Sequence, residues 1–225
     1  MSHRLSIIVP ALDEAGCIAA ALDALAPLRA RGHQVLVVDG GSQDGTPALA
    51  RAGADAVLTA RRGRAVQMNA GAAQAQGDVL LFLHADTGLP PQADALVAQA
   101  LAQGALWGRF DVRIAGRSWL FPLIAALMNA RSRLTGVATG DQAIFVHRQV
   151  FEALGGFPEQ PLMEDIELSR RLLTWGRPAC LRGPVVTSGR RWEAQGVWRT
   201  VLLMWRLRWR YWRGAPADEL AKAYR

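Results

Sequence analysis

The sequence predicts an α/β fold, with a Rossmann-like, mostly parallel central sheet flanked by helices and a C-terminal helical tail. Three observations predict it. Leu5 to Val9, Val35 to Val38 and Val79 to Leu83 are apolar runs rich in β-branched residues, the pattern of strands covered on both faces. Alanine-rich segments of helical periodicity lie between them, at Ala15 to Arg31, Thr46 to Ala52 and Ala65 to Gln76. Each apolar run also ends in acidic and polar residues, and in an open parallel sheet that edge is where ligands bind.

After Asp86 the pattern reads as a helix over Pro90 to Gln103, a strand over Leu106 to Ile114, a helical segment over Gly116 to Thr135 and a strand over Ala143 to Val146. Helices over Gln149 to Leu154 and Met163 to Trp175 follow, split by the turn Gly155-Gly156-Phe157-Pro158. No linker, internal repeat or low-complexity tract interrupts the chain. Its 225 residues and 51% hydrophobic content suit one domain over 1–225.

Bulk properties exclude several classes. Cys17 and Cys180 show no metal-ligand spacing, so neither a disulfide framework nor a zinc site is expected, and a reducing compartment fits. The first apolar run is a short strand closed by Pro10, without the features of a signal peptide. The longest apolar stretch, Trp119 to Asn129, contains Pro122 and falls short of the ~20 residues that cross a bilayer. The expectation is a cytoplasmic protein without a membrane span. The net charge is +7, with arginines grouped at Arg61 to Arg64, Arg109 to Arg133 and Arg190 to Arg213. An anionic partner follows, though charge alone does not choose among nucleic acid, phosphorylated small molecules and acidic lipid headgroups.

The strand ends are more specific. The first run closes on Pro10-Ala11-Leu12-Asp13-Glu14, the second on Asp39-Gly40-Gly41-Ser42-Gln43-Asp44-Gly45-Thr46 and the third on His84-Ala85-Asp86-Thr87. Asp39 followed by glycines suits contact with a base or ribose, and a turn with a helix N-cap explains the same residues equally well. A carboxylate such as Asp86 can hold Mg²⁺ or Mn²⁺ against diphosphate oxygens. Arg61, Gly63 and Arg64, with Gln67 and Asn69, place basic and amide groups at a helix start, where backbone N–H groups already favour anions. Glu164 and Asp165 open another helix. There, capping is the simpler reading of the residues alone, with a general base as the alternative.

The tail from Val197 to Arg213 carries Trp198, Leu202, Trp205, Trp209 and Trp212 on one stripe and Arg199, Arg206, Arg210 and Arg213 beside it. One reading is an interfacial helix making peripheral membrane contact. The favoured one packs the tryptophans onto the domain, or onto a second subunit in a homodimer, because a stripe at helical spacing is usually core.

Together these segments resemble family-2 glycosyltransferases of the GT-A fold. The matching residues are Ile7 to Glu14, Val37 to Thr46, Phe82 to Thr87, Gly155-Gly156-Phe157 and Glu164-Asp165. The resemblance implies an inverting transfer from a nucleotide-sugar. The nucleotide-sugar half spans about 1–115 and the acceptor half with the C-terminal helix about 116–225. It implies that Asp39 contacts the nucleotide, with Pro10, Ala11, Leu12, Glu14, Gly40, Arg61, Gly63, Arg64, Gln67, Asn69, His84 and Ala85 around the donor. Asp86 becomes the metal-binding residue of the D-x-D element, and Asp165, beside Glu164, the base. His84 stands where that element has its first aspartate. Imidazole is a poor Mg²⁺ ligand, so His84 is expected to hydrogen-bond a phosphate or orient Asp86.

A narrower resemblance, to the subgroup of arsenosugar-type or selenium-associated glycosyltransferases, rests on five segments. They are Arg61 to Arg64 with Gln67 to Gly71, Met128 to Arg133, Thr139 to Phe145, Pro161 to Asp165 and Arg190 to Glu193. It implies transfer from a UDP-sugar, UDP-N-acetylglucosamine or UDP-glucose, to selenophosphate. Arg131, Arg133, Asp141, Gln142, Arg190, Arg191 and Trp192 would then serve the acceptor or the diphosphate. The alternatives are a lipid or other hydroxyl acceptor, and in other classes a nucleotidyltransferase or a basic membrane- or nucleic-acid-binding protein. No glycine-rich phosphate loop follows the first strand, against the nucleotidyltransferase, and no G-x-G-x-x-G follows any strand, against a dinucleotide enzyme. No nucleic-acid partner is expected.

Overall fold

A computed structural model describes residues 3–224. Its centre is a sheet of β1 (Leu5–Ala11), β2 (Gln34–Asp39), β3 (Ala56–Thr59), β4 (Val79–Phe82), β5 (Thr87–Gly88), β6 (Trp107–Ala115), β7 (Ile144–His147) and β8 (Ala179–Ser188). The strand order is β3-β2-β1-β4-β7-β6-β8-β5. The β3-β2-β1-β4 half is parallel throughout, and β6 and β8 are parallel to each other. Only β7 and β5 pair antiparallel with their neighbours. The mostly parallel sheet expected from the sequence is the sheet observed.

Burial on both faces explains the continuous apolar runs. Along β1, Ile7 and Val9 join one core layer with Leu22, Leu25 and Leu28 of α1 (Ile18–Ala30) and Val97 of α4 (Ala93–Ala102). Ile8 points the other way, with Leu36, Val38, Leu80 and Phe82, onto Met68 and Ala72 of α3 (Arg64–Ala73) and Leu168 of α7 (Glu164–Leu172). Alternate residues of a strand face opposite sides, so a strand with two covered faces has no polar phase. The connections at the functional edge are α2 (Thr46–Ala50) and the long α5 (Phe121–Thr135), whereas α6 (Arg148–Ala153) follows β7 at the opposite edge, beside the start of β4.

Several elements differ from expectation. The helix expected from Gly116 begins at Phe121, because Gly116 sits at φ 150° and Pro122 suits the first turn. The strands β3 and β8 carry no clean apolar run. In β8, Phe110 pairs with Leu181 but Val112 with Val185, so Arg182, Gly183 and Pro184 bulge out of the ladder. Three helices close the chain: α8 (Arg190–Gln195), α9 (Val197–Trp212) and α10 (Ala217–Tyr224).

The tail corrects the reading that packs its tryptophans onto the domain. Thr200 and Leu207 of α9 are buried, and Leu203, Met204 and Tyr211 pack with Leu207 against Leu162, Met163 and Leu220. The stripe of Trp198, Leu202, Trp205, Trp209 and Trp212 lies on the opposite side, each residue at least 58% exposed. At ~100° per residue a helix with two apolar stripes can bury only one against a single neighbour. No helix among the described residues is long and apolar enough to cross a membrane.

Candidate active site

β1 and β2 end side by side, with Ala11 paired to Asp39. Asp39 is 3% exposed, and its carboxylate accepts hydrogen bonds from the backbone N–H groups of Gly41 (2.9 Å) and Ser42 (3.1 Å) and from the Ser42 hydroxyl. It therefore fixes the turn that follows it. The β1 loop is tied to that turn. Asp13 N–H donates to Ser42 Oγ at 2.9 Å, Gln43 N–H to Asp13 Oδ1 at 2.8 Å and Glu14 N–H to Thr46 Oγ1 at 2.8 Å. Gln67 Nε2 reaches up from α3 and donates to the carbonyls of Ala11 and Val38, both at 2.8 Å. A Cβ at Gly40 would meet the Gln67 amide at 3.0 Å and press on its two carbonyl bonds. Pro10, Ala11, Leu12, Glu14 and Gly40 thus form a pre-shaped rim.

Asn69 uses both ends of its amide on the backbone of Phe157, each bond 2.9 Å. Asn69 thus ties α3 to the turn at Phe157 while Gln67 braces the rim, where the sequence had suggested direct contact with a ligand for both. Gly63, at φ 145°, opens α3. Arg61 is exposed and pairs with Glu159 at 3.2 Å, and Arg64, its side chain 46% exposed, reaches Glu164 with Nη1 3.5 Å from Oε1.

The β4 strand delivers His84, Ala85 and Asp86. Because Phe82 pairs with Ile144 of β7, the preceding turn, Thr139 to Ala143, lies beside them. His84 Nδ1 is 3.2 Å from Asp141 Oδ1. Burial pushes the Asp141 carboxyl up, yet the His84 contact and the Arg64 and Arg191 charges hold it below the usual carboxylate range. An ionised carboxylate only accepts, which assigns the proton to Nδ1. Nε2 is then left buried without a partner, against Gly140. His84 is therefore oriented by Asp141, where the sequence had suggested that it orients Asp86 or bonds a phosphate. Asp86 is half-buried and its side chain has one internal contact, from the Thr87 hydroxyl at 3.4 Å.

No group of three or more His, Cys, Asp or Glu side chains that could hold a metal alone exists among the described residues. A free carboxylate at Asp86 fits a divalent ion whose other ligands are phosphate oxygens and water. His84, turned to Asp141, does not complete such a site.

Glu164 and Asp165 open α7 after Met163, which takes a left-handed φ of 66°. Asp165 accepts from Gly140 N–H at 2.8 Å and from Ile166 N–H at 2.7 Å, so its carboxylate is locked to the His84-facing turn. Glu164 is 3% exposed, and burial pushes its carboxyl up, aided by the Asp165 charge and opposed by Arg64. Arg64, His84, Gly140, Glu164 and Asp165 line one narrow cleft.

The arginines divide into committed and free groups. Arg109 is fully buried and donates to Asp111, to Ser132 Oγ (3.0 Å) and to the Asn129 carbonyl (3.1 Å). Arg133 also bonds Asp111, and reaches the Cys180 carbonyl at 3.4 Å. Arg131 has no such counter-ion, and its Nε and Nη2 are buried without partners. Burial holds its guanidinium below the ordinary arginine range, against the favourable charges of Asp165 and Asp141. Arg190 lies 3.7 Å from Glu14 and 3.2 Å from Ser188 Oγ. Arg191 stacks over the Tyr224 ring at 3.9 Å and donates to its hydroxyl.

The structure thus places Arg64, Glu164 and Asp165 on the cleft wall, with Arg131, Asp141 and Arg191 near enough to act on these groups or on one another by charge. Arg133, Gln142 and Trp192, expected beside the acceptor, have structural partners. Gln142 is buried and closes a capping box with Thr139. Trp192 packs with Ile114 and Phe121. Tyr224 was not foreseen. It is held by Arg191, its hydroxyl is pushed up by burial, and it feels Arg64, Asp141 and Asp165. Nothing in its polar, terminal segment signals that role.

A family model described as Glycosyl transferase family 2 matches residues 6–152. No curated protein matches the sequence. Among solved structures, a mannosyltransferase from Pyrobaculum calidifontis, in complex with GDP-Man and Mn²⁺, is similar at TM-score 0.60 and 26% identity, over 84% of this chain and 57% of that one. The TarS 1–349 structure from S. aureus is similar at TM-score 0.65 and 17% identity, over 83% of this chain and 60% of that one. Glucosyl-3-phosphoglycerate synthase from Mycobacterium tuberculosis, in complex with Mn²⁺, UDP and glucosyl-3-phosphoglycerate, is similar at TM-score 0.58 and 21% identity, over 81% and 70%. The chain therefore spans less than two thirds of the first two of these proteins.

Proposed function

The chain belongs to glycosyl transferase family 2, and from that premise we propose that it transfers a sugar from a UDP-sugar, UDP-N-acetylglucosamine or UDP-glucose, with inversion, to an anionic acceptor, selenophosphate. The observation that carries the acceptor is the unpartnered, buried guanidinium of Arg131 near Asp165. A buried cation without a counter-ion is costly unless a ligand supplies the charge. The UDP-binding neighbours from S. aureus and M. tuberculosis support the donor class.

The donor would lie across the Ala11 and Asp39 rim, with its diphosphate toward Asp86 and Arg64. Asp86 would hold the Mg²⁺ or Mn²⁺, which supplies positive charge against the departing diphosphate. Selenium of selenophosphate attacks the anomeric carbon with its own electron pair, as the carbon–oxygen bond to the diphosphate breaks and its electrons leave with UDP. No proton need be removed. Asp165, pinned by two backbone N–H groups, then positions the acceptor with Arg131.

The second reading is a hydroxyl acceptor, lipid-linked included, favoured by the carboxylate of Asp165 at the cleft wall, which would take the hydroxyl proton. Incubation with UDP-sugars, Mg²⁺ or Mn²⁺ and either selenophosphate, thiophosphate or lipid acceptors, with products identified by mass, decides between them. UDP release with lipid acceptors alone would overturn the selenophosphate reading.

A further inference from the structure

Two helices, α5 and the α9 that starts beside it at Val197, leave apolar faces in solvent. On α5 the exposed positions after Trp119 are Pro122, Leu123, Ala126, Leu127, Ala130, Leu134 and Thr135, with no charge among them. Trp119 is 81% exposed and Leu134 79%. On α9 the exposed row is the tryptophan stripe described above, flanked by exposed Arg199, Arg206 and Arg213. The inner side of α5, through Phe121, Ile124, Ala125 and Met128, clusters with Trp192 of α8 and with Val197, the first residue of α9. Soluble surfaces rarely expose so many large apolar side chains on adjoining elements without a partner.

We propose that this two-helix face docks onto an anionic lipid bilayer. Tryptophan beside arginine is the composition that seats a helix at the headgroup boundary, with apolar rings among the acyl chains and guanidinium groups at the phosphates. Neither α5 nor α9 contains an aspartate or glutamate. A two-fold contact between copies would bring arginine rows of like sign together with no acidic complement on these helices. Nucleic acid would leave the aliphatic face of α5 uncovered.

Docking would also be felt at the cleft. The buried side of α9 packs on Leu162 and Met163, directly before Glu164 and Asp165, and α10 brings Tyr224 onto Arg191. The face is thus backed by the segment that carries the catalytic pair, and the enzyme would work at a membrane surface whichever acceptor it uses.

The test is co-sedimentation of the full chain with phosphatidylcholine vesicles, with and without phosphatidylglycerol, read alongside tryptophan emission. Binding to the anionic vesicles only, with a blue shift and weakening by added salt, is expected. Trp205→Ser with Trp209→Ser, and separately Leu123→Ser with Leu127→Ser, should each lower partitioning by about tenfold or more. Their melting temperature and UDP binding should not change, since these side chains lie outside the core. Absence of binding to anionic vesicles at low salt would overturn the proposal. So would binding that both pairs of substitutions leave intact, or a dimer in solution that the same substitutions dissociate without any vesicle binding.

Discussion

The sharpest stability prediction concerns Asp111→Asn. Asp111 is the shared acceptor of Arg109, fully buried, and of Arg133. The substitution keeps the shape but removes the only carboxylate that, among the described residues, is bonded to either arginine, leaving Arg109 with Ser132 Oγ and the Asn129 carbonyl. Breaking a buried pair on one side costs about 3–5 kcal/mol, because the remaining charge stays desolvated. With a urea m-value of about 2–3 kcal/mol/M, the unfolding midpoint should fall by about 1–2.5 M. Arg133 is partly exposed, so Arg133→Met should cost less than Asp111→Asn. The assay is urea denaturation followed by circular dichroism. A midpoint shift below about 0.3 M for Asp111→Asn would refute the reasoning.

Further predictions concern the cleft and its rim. Glu164 has its folded-state pKa raised, so the stability it contributes is complete below the ordinary glutamate range and lost as pH rises through the raised value. Glu164→Gln removes that loss, and its melting temperature should gain on the native chain's as pH rises above the ordinary glutamate range; a difference independent of pH, or of opposite sign, would contradict this. Gly140→Ala would place a Cβ 2.5 Å from His84 Nε2, so the ring must rotate away from Asp141. A loss of about 1–3 kcal/mol and displaced His84 imidazole resonances should follow, and unchanged resonances would count against it. Burial and the neighbouring Glu14 carboxylate push the Cys17 thiol up to about 11. Its alkylation near neutrality should be slow and rise about tenfold per pH unit, which a peptide map of iodoacetamide labelling will read; rapid labelling at pH 7 would refute the assignment.

The sheet was legible where burial is two-sided. The runs at Ile7, Val37 and Leu81 carry strand and depth together, since no alternate residue has to be polar. The β8 strand was not, because its bulge holds Arg182, Gly183 and Pro184, residues that read as a turn. In the site, residue type announced polarity but not its object. Gln67, Asn69 and Gln142 have the chemistry of ligand contacts, yet the first two bond main-chain groups of neighbouring segments and Gln142 caps a turn. Only the fold shows which polar groups face backbone and which face a vacant cleft. The α9 stripes carry the same ambiguity. Leu203 and Leu207, with Tyr211, make an inner face as apolar as the tryptophan row, and periodicity does not rank the two. Arg131 and Arg133 are two positions apart, and what separates their roles is Asp111, distant in sequence and paired with only one of them.

That distinction gives the most direct measurement of the central claim, that an anionic acceptor completes the Arg131 site. Steady-state transfer from the UDP-sugar to selenophosphate should be compared between the native chain and Arg131→Met, with UDP binding measured separately by calorimetry. A lost charge-assisted contact of about 1.5–3 kcal/mol predicts an acceptor KM raised by about 10–150-fold, with the Kd for UDP unchanged. An unchanged acceptor KM with weakened UDP binding would contradict the account and assign Arg131 to the donor diphosphate.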